Sequence, residues 1–577
     1  MSARTMTEVL LTRAAEKPGA VAYGFLADGE DAVAELTYGD LATQSRRIAA
    51  LLADRLSPGS RAILVYPPGL EFVMAFFGCL LAGVIAVPAY PPAPPVLNEG
   101  VRRLRRVAAD AGAEAVLTSS AYHAFRAATP EIKAAVEPPW LVTDRERIGD
   151  PDAWRDGGID ADTVAMIQYT SGSTADPKGV VLRHGNLMAN QRAIQQAMGA
   201  GDRTVGVSWL PMYHDMGLIG FILQPLYLGI PSYLLSPLHF LERPVRWLRA
   251  VSRFRGTVSG GPNFAYELCV KRITDEEKDG LDLSSWRVAF TGSDHVHATP
   301  LRRFAERFAD RGLRPEALYP CYGLAEASLL VTGSVPLGGP RTVRLDAAAL
   351  AEGAARPGEP AGARTVESVS CGRPPEGHEV VVVDPEQGAA LPEGRVGEIW
   401  VRGPSVAAGY WNRPEPSEAT FRAYLPGHEE PFLRTGDLGF LLGGELHVTG
   451  RIKDVMIVRG RNVYPQDVEI AAQEADGRTR AGGGAAFGIQ VAGAEEVALV
   501  QEVSAAGEAE TAAMLRRIRQ AVSDAQGIGL AAICLVPPRT LPRTSSGKIR
   551  RAACREMFRR SELAPLAEWR DTGMVRM

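Results

Sequence analysis

QYTSGSTADPKGV, residues 168 to 180, follows the apolar run Val164 to Ile167 and is rich in hydroxyls and glycine. Thr170, Ser171, Gly172, Ser173 and Thr174 come first, and Lys178 and Gly179 close the stretch. The pattern predicts a strand that runs into a phosphate loop. A polyphosphate needs many short donors at close approach: backbone N–H groups opened by glycine, hydroxyls and an ammonium. The spacing differs from G-x-x-x-x-G-K-[ST], the common nucleotide-triphosphatase loop. Taken alone, such a run is more often a Ser/Thr/Gly surface turn. Its flanks and the later motifs shift the reading towards phosphate.

Outward from this loop, 577 residues exceed what one hydrophobic core usually organises, so a large domain and at least one smaller one are expected. A net charge of −4, from 63 basic and 67 acidic residues, gives no reason to expect nucleic acid. Cys79, Cys269, Cys321, Cys371, Cys534 and Cys554 lack metal spacing. They read as reduced, mostly buried thiols of a cytoplasmic protein. The mix of charge and apolar residues at helical spacing in the first residues leads us to expect no export signal. Phe72 to Ala89 is an uncharged run near the lower limit of a membrane span. Gly78, Gly83 and the ending VIAVP instead predict a buried helix, a turn and a buried strand, with no transmembrane segment.

Residues 7 to 150 alternate helical periods with short apolar runs, an α/β layered pattern. Arg102, Arg103, Arg105 and Arg106 read as the solvated face of a helix leading to the strand AVLT. Beyond the loop, Asn186 is the expected N-cap of a helix, and VGVSWL is a strand delivering Tyr213, His214 and Asp215 to its end. TVSGG and RVAFTG are further strands. The segment from Val331 to Ser370 is long for a connection, but it contains strand-like RTVRL and helix-like DAAALAEGA. HEVVVVD and GEIWVRGPSVAAGYW alternate as β-strands do.

Further blocks follow the loop: WLPMYHDMGL, GGPNFAYEL, YPCYGLAEASL, FLRTGDLG, GRIKDVMIVRGRNVYPQDVE and PRTSSGKIRR. With the loop, they resemble the motifs of the adenylate-forming enzymes, and their variants resemble fatty acyl-AMP ligases. The resemblance spans about residue 7 to about residue 560. It implies an α/β architecture: a large multi-layer N-terminal adenylate-forming domain with a β subdomain, residues 1–452, and a small mobile C-terminal α/β domain, residues 453–577. An insertion at about 335–370 is implied to brace the two and to disfavour free coenzyme A.

Residue by residue, the resemblance implies that Thr170 to Thr174 and Lys178 hold the phosphates of ATP. Glu326 and Thr170 hold Mg²⁺. Ser293, Tyr322, Gly323, Leu324 and Ala325 border the nucleotide, Tyr322 offering its ring to adenine. Asp437 and Arg451 take the ribose. His214 lines the junction of acyl and nucleotide sites. Lys453 is the hinge, and Lys548 enters the active site. Ser293-Asp294-His295 departs from the Ala-Glu-Pro-like sequence of most members.

The implied reaction joins a fatty acid to ATP as acyl-AMP, releases pyrophosphate, and passes the acyl group to the phosphopantetheine thiol of an acyl carrier protein. This serves polyketide, lipopeptide or lipid biosynthesis. No carrier segment is evident in the sequence, so the carrier is expected as a separate chain. An acyl-CoA ligase shares the first step, and a catalytically silent nucleotide-binding module shares the fold. Acceptor choice separates the first alternative, and ATP–pyrophosphate exchange separates the second.

Overall fold

The computed structural model describes residues 3–571 apart from 95–96, 146–147, 171–176, 294, 359–363, 459–460, 492–493, 505–506 and 545–547. The strand Val164–Thr170 is buried along its middle, as its apolar run predicts. It pairs in parallel with Ile85–Ala89 and antiparallel with Lys178–Arg183. Arg61–Val65, Ala115–Thr118 and Trp140–Val142 extend the sheet on one side, and Gly409–Tyr410 closes the other. A second, eight-stranded sheet carries the parallel strands Gly206–Ser208, Val258–Gly260, Val288–Thr291 and Leu318–Gly323.

The uncharged run folds as the helix Leu70–Leu81, a turn and the strand Ile85–Ala89. A Cβ at Gly78 would fall 2.5 Å from Ile48 Cγ2, so glycine there lets this helix lie close against the helix Tyr38–Ala53. Among the described residues no helix is long and apolar enough to cross a membrane. Behind the second sheet, Trp247 is fully buried. It meets Trp286 and Tyr266 edge to face at 5.3 and 5.7 Å between ring centres, and its indole N–H donates to Ser259 Oγ at 2.8 Å. Ser259 Oγ donates in turn to the Val207 carbonyl, tying two strands together.

Some local readings need correction. The helix His184–Met198 starts two residues before Asn186. Asn186 instead accepts from the Arg183 N–H at 3.0 Å and donates to the carbonyls of Pro404 and Val406. Of the four arginines on Leu97–Ala111, Arg102, Arg105 and Arg106 are exposed, whereas Arg103 turns into the central cavity. After Asp215–Leu218 the chain widens into a π-helical turn, Ile219–Leu223. The carbonyls of Phe221 and Ile222 accept from Ser232 Oγ and the Tyr23 hydroxyl.

Glu379–Val383, Gly397–Arg402, Leu433–Leu442 and Glu445–Arg451 form an antiparallel sheet, the β subdomain. In the insertion, Thr342–Asp346 pairs with Thr365–Val369, and Asp346 caps the helix Ala347–Ala351. Leu345, Leu350 and Ala355 pack on Phe440. After Arg451 the chain builds another sheet, from Thr479–Val491, Ala494–Val503, Leu530–Val536 and Ala567–Arg570. The helices Pro465–Glu474 and Glu508–Gln526 lie against it. Its two apolar clusters, one on each face, draw only on residues from Met456 onward. All six cysteines are free; five are buried and Cys321 is half-buried.

Candidate active site

The two sheets and the C-terminal α/β part enclose one cavity of about 1200 Å³. Thr170, Lys178, His214, Ser293, Tyr322, Gly323, Leu324, Ala325, Glu326, Asp437, Arg451, Lys453 and Lys548 all line it. Ser171, Gly172, Ser173 and Thr174 lie outside the described residues. Thr170 and Lys178 are register partners on adjacent antiparallel strands, so both line the cavity from fixed backbone.

Tyr322 ends in the β subdomain: its hydroxyl donates to Asp437 Oδ2 at 2.7 Å, and Arg451 Nε donates to Oδ1 at 3.1 Å. Both Asp437 oxygens are thus oriented by protein donors, while a carboxylate retains further lone pairs for hydroxyls. The buried Glu398 carboxylate holds the turn before Asp437, accepting from the Gly436 N–H and from Arg434. Gly323 allows a close crossing, since a Cβ there would overlap the Leu329 carbonyl. Leu324 leads into the short helix Ala325–Ala327, which presents Glu326.

Burial pushes the Glu326 carboxyl up, and a hydrogen bond from the Tyr410 hydroxyl at 2.9 Å partly offsets this. No described residue forms an ion pair with it, so this carboxylate is suited to a hard cation. Among the described residues no cluster of three metal-ligating side chains occurs. That donor set fits Mg²⁺ carried by a polyphosphate, which keeps phosphate and water oxygens as its remaining ligands. Tyr410 also lies beneath Lys178, whose Nζ is 4.7 Å from the ring centre. Sequence reading passed over Tyr410 as part of a β stretch. Only its pairing with Val180, more than 200 residues earlier, gives it this place.

His214 Nδ1 lies 2.6 Å from Asp215 Oδ1, which also accepts from the Met216 N–H. Burial raises the Asp215 carboxyl, but His214, the Met216 N–H and Lys548 outweigh it and hold the group below the usual range. Lys548 reaches in from the C-terminal part and its Nζ donates to the Ser293 carbonyl. Ser293 has φ of 78°, a strained conformation for a residue with a Cβ. Its main-chain carbonyl, not its hydroxyl, is what meets the lysine. Lys453 is exposed in a turn between Arg451 and Met456.

Arg550 and Arg551 are each held by a carboxylate. Arg550 Nη1 lies 3.2 Å from Glu99, and Arg551 grips both oxygens of Glu469 at 2.7 Å. Arg555, Arg559 and Arg560 are exposed. Two more contacts join the C-terminal part to the rest: Gln473 donates to Glu267, and Arg364 of the insertion donates to the carbonyls of Ser523 and Asp524.

The chain matches the model of the AMP-binding enzymes over residues 10–411. It is 42% identical over 561 residues to the medium-chain-fatty-acid–[acyl-carrier-protein] ligase JamA of Moorena producens, covering 96% of this chain and 95% of that one. It is 39% identical over 586 residues to the long-chain-fatty-acid–AMP ligase FadD26 of Mycobacterium marinum, covering 96% and 97%. Among solved structures, a fatty acyl-adenylate ligase from Legionella pneumophila in complex with acyl adenylate and pyrophosphate superposes with a TM-score of 0.76 at 36% identity, over 99% and 98% of the two chains.

Proposed function

Since the chain belongs to the fatty acyl-AMP ligases, ATP-dependent AMP-forming members of the AMP-binding enzymes, we propose that it loads its fatty acyl group onto the phosphopantetheine thiol of a separate acyl carrier protein. A carboxylate cannot acylate a thiol directly, because oxide is a hopeless leaving group. One carboxylate oxygen therefore attacks the α-phosphorus of ATP, pyrophosphate leaves, and an acyl-AMP mixed anhydride forms. The carrier thiolate then attacks the acyl carbon and AMP departs.

The observation that carries the reading is Lys548, lodged beside Ser293 and Asp215 in the cavity. Its ammonium neutralises the carboxylate and α-phosphate as they meet, at the junction lined by His214. Lys178 and Thr170 with the adjoining loop hold the outer phosphates, Glu326 and Thr170 hold Mg²⁺, and Tyr322, Asp437 and Arg451 hold the nucleoside. Residues 1–452 and 453–577 act as two domains hinged at Lys453, whose rotation withdraws Lys548 and admits the carrier arm. The deciding experiment supplies ATP, Mg²⁺ and a panel of fatty acids with either free coenzyme A or a phosphopantetheinylated carrier. Acyl-AMP that accumulates with coenzyme A but moves onto the carrier supports the reading. Rapid acyl-CoA formation makes the protein a synthetase instead.

The insertion supports the same choice of acceptor. Arg364 places a cation on the last carbonyls of the helix Glu508–Gln526, where the helix dipole favours positive charge. Because Arg364 is half-exposed, the contact is worth about 1 kcal/mol, or roughly a five-fold shift in docking. Arg364→Ala is therefore expected to raise acyl-CoA formation a few-fold and to speed protease cleavage near residue 453, with adenylation within about two-fold. Unchanged cleavage and acceptor preference would show that this contact does not restrain the domain.

A further inference from the structure

We propose that Arg103 and Arg550, with the hydroxyls of Tyr90 and Tyr213, form a seat for the pyrophosphate end of the nucleotide, built half from each domain. The inference rests on the adenylation reading and extends it to four side chains given no part in nucleotide binding above.

All four side chains line the cavity that also holds Thr170, Lys178 and Lys548. Arg103 is half-buried on the helix Leu97–Ala111, and no described residue accepts a hydrogen bond from it or pairs with it as an ion. Tyr90 and Tyr213 meet edge to face at 5.2 Å, and among the described residues neither hydroxyl has a hydrogen-bond partner. The groups that act on Arg103 are Tyr213, Glu99, Arg550 and Tyr90. Burial and Arg550 both press its guanidinium below its ordinary value. Two guanidiniums thus face one carboxylate, Glu99, which already pairs with Arg550 at 3.2 Å.

The cluster is rich in donors and short of acceptors. Each guanidinium offers five N–H donors in a planar fork, the geometry that matches phosphate oxygens. An acyl chain packed here would leave a buried charge unmatched, and a single carboxylate would leave most donors open. A diphosphate supplies both the charge and the oxygens.

Its place along the substrate follows from the backbone. The Thr544 N–H donates to the Lys548 carbonyl and the Arg550 N–H to the Pro542 carbonyl, with Arg543 and Ile549 bridged antiparallel between them. Lys548 and Arg550 are alternate residues of this extended segment, so they point to the same side about 7 Å apart. With Lys548 at the reacting carboxylate and α-phosphate, Arg550 falls farther along the polyphosphate, towards the leaving group.

The test uses the full-length protein and Mg²⁺ pyrophosphate alone as calorimetric probe, with fatty-acid-dependent ATP–pyrophosphate exchange run beside it. Arg103→Gln and Arg550→Gln are each expected to weaken pyrophosphate binding about 10- to 100-fold. Arg103→Lys recovers part of the loss, because charge returns without the fork. The exchange KM for pyrophosphate should rise with the binding constant while that for the fatty acid stays put. Wild-type-like pyrophosphate binding by a folded Arg103→Gln or Arg103→Lys protein overturns the seat, as does a wild type that binds no pyrophosphate. A loss greater in acyl transfer from preformed acyl-AMP than in pyrophosphate binding would assign the anion to the phosphodiester of the carrier arm, and also overturns it. Pyrophosphate binding that needs Arg103, in a protein that exchanges with no fatty acid, upholds the seat and sinks the adenylation reading.

Discussion

Replacing Lys548 by alanine is expected to slow acyl-AMP formation about 100- to 1000-fold, while transfer from preformed acyl-AMP to a carrier thiol is much less affected. Lys548 Nζ is held inside the cavity by the Ser293 carbonyl and lies near the Asp215 carboxylate. Its charge is therefore aimed before substrate arrives, and a preorganised charge in a partly dry site is worth far more than one in water. The transition state places a carboxylate against a phosphate, two anions that repel without it. In the second step the electrophile is already neutral at its acyl carbon, and on the proposed hinge motion the lysine has left. Single-turnover rates for the two halves, measured separately, decide the matter. Equal losses in both would mean that Lys548 supports the architecture and not the first step.

Trp247→Ala is expected to destabilise the large body by about 3–5 kcal/mol. The indole is fully buried, packs edge to face on Trp286 and Tyr266, and holds Ser259 through its N–H. Truncation opens a cavity that rigid neighbouring rings cannot fill, and it removes a donor to a hydroxyl that links two strands. In urea the unfolding transition of the large body should move to lower concentration. That of the part after Met456, which has its own apolar clusters, should stay in place. Trp247→Phe should recover much of the packing and leave the loss of the hydrogen bond. A shift below about 1 kcal/mol for the alanine variant would show that this cluster rearranges around the gap.

Much of this was legible in the sequence because period and order carry it. Val164–Thr170 announces a buried strand by an unbroken apolar run, and Leu70–Leu81 with Ile85–Ala89 announce helix and strand by a turn between them. The order of the motif blocks then brings Thr170, Lys178, Glu326, Asp437 and Lys548 to one cavity. What escaped is what pairing across the chain creates. Tyr410 becomes a partner of Glu326 and Lys178 only through an edge strand that pairs beside Val180, more than 200 residues earlier in the chain. Arg103 shares its helix and charge with three exposed neighbours, and only helical phase turns it inward. Arg364 meets a helix end some 160 residues later. The role of Ser293 was obscured for another reason: its carbonyl makes the contact, and side-chain identity says little about where a carbonyl points.

The cysteines of the cavity wall bear on chemoselectivity. Cys321 and Cys371 both border the cavity, which on the proposed reading holds a mixed anhydride, a potent acylating agent. The thiolate is the nucleophile, and burial pushes Cys371 up to about 12 and Cys321 further from ionisation. Cys321 also points its thiol at the Thr291 carbonyl, at 3.4 Å. At neutral pH almost none of either sulfur is charged, so the fold acts as a protecting group for its own side chains. On the proposed reading, the activated acyl group survives beside resident sulfur until a thiol arrives from outside.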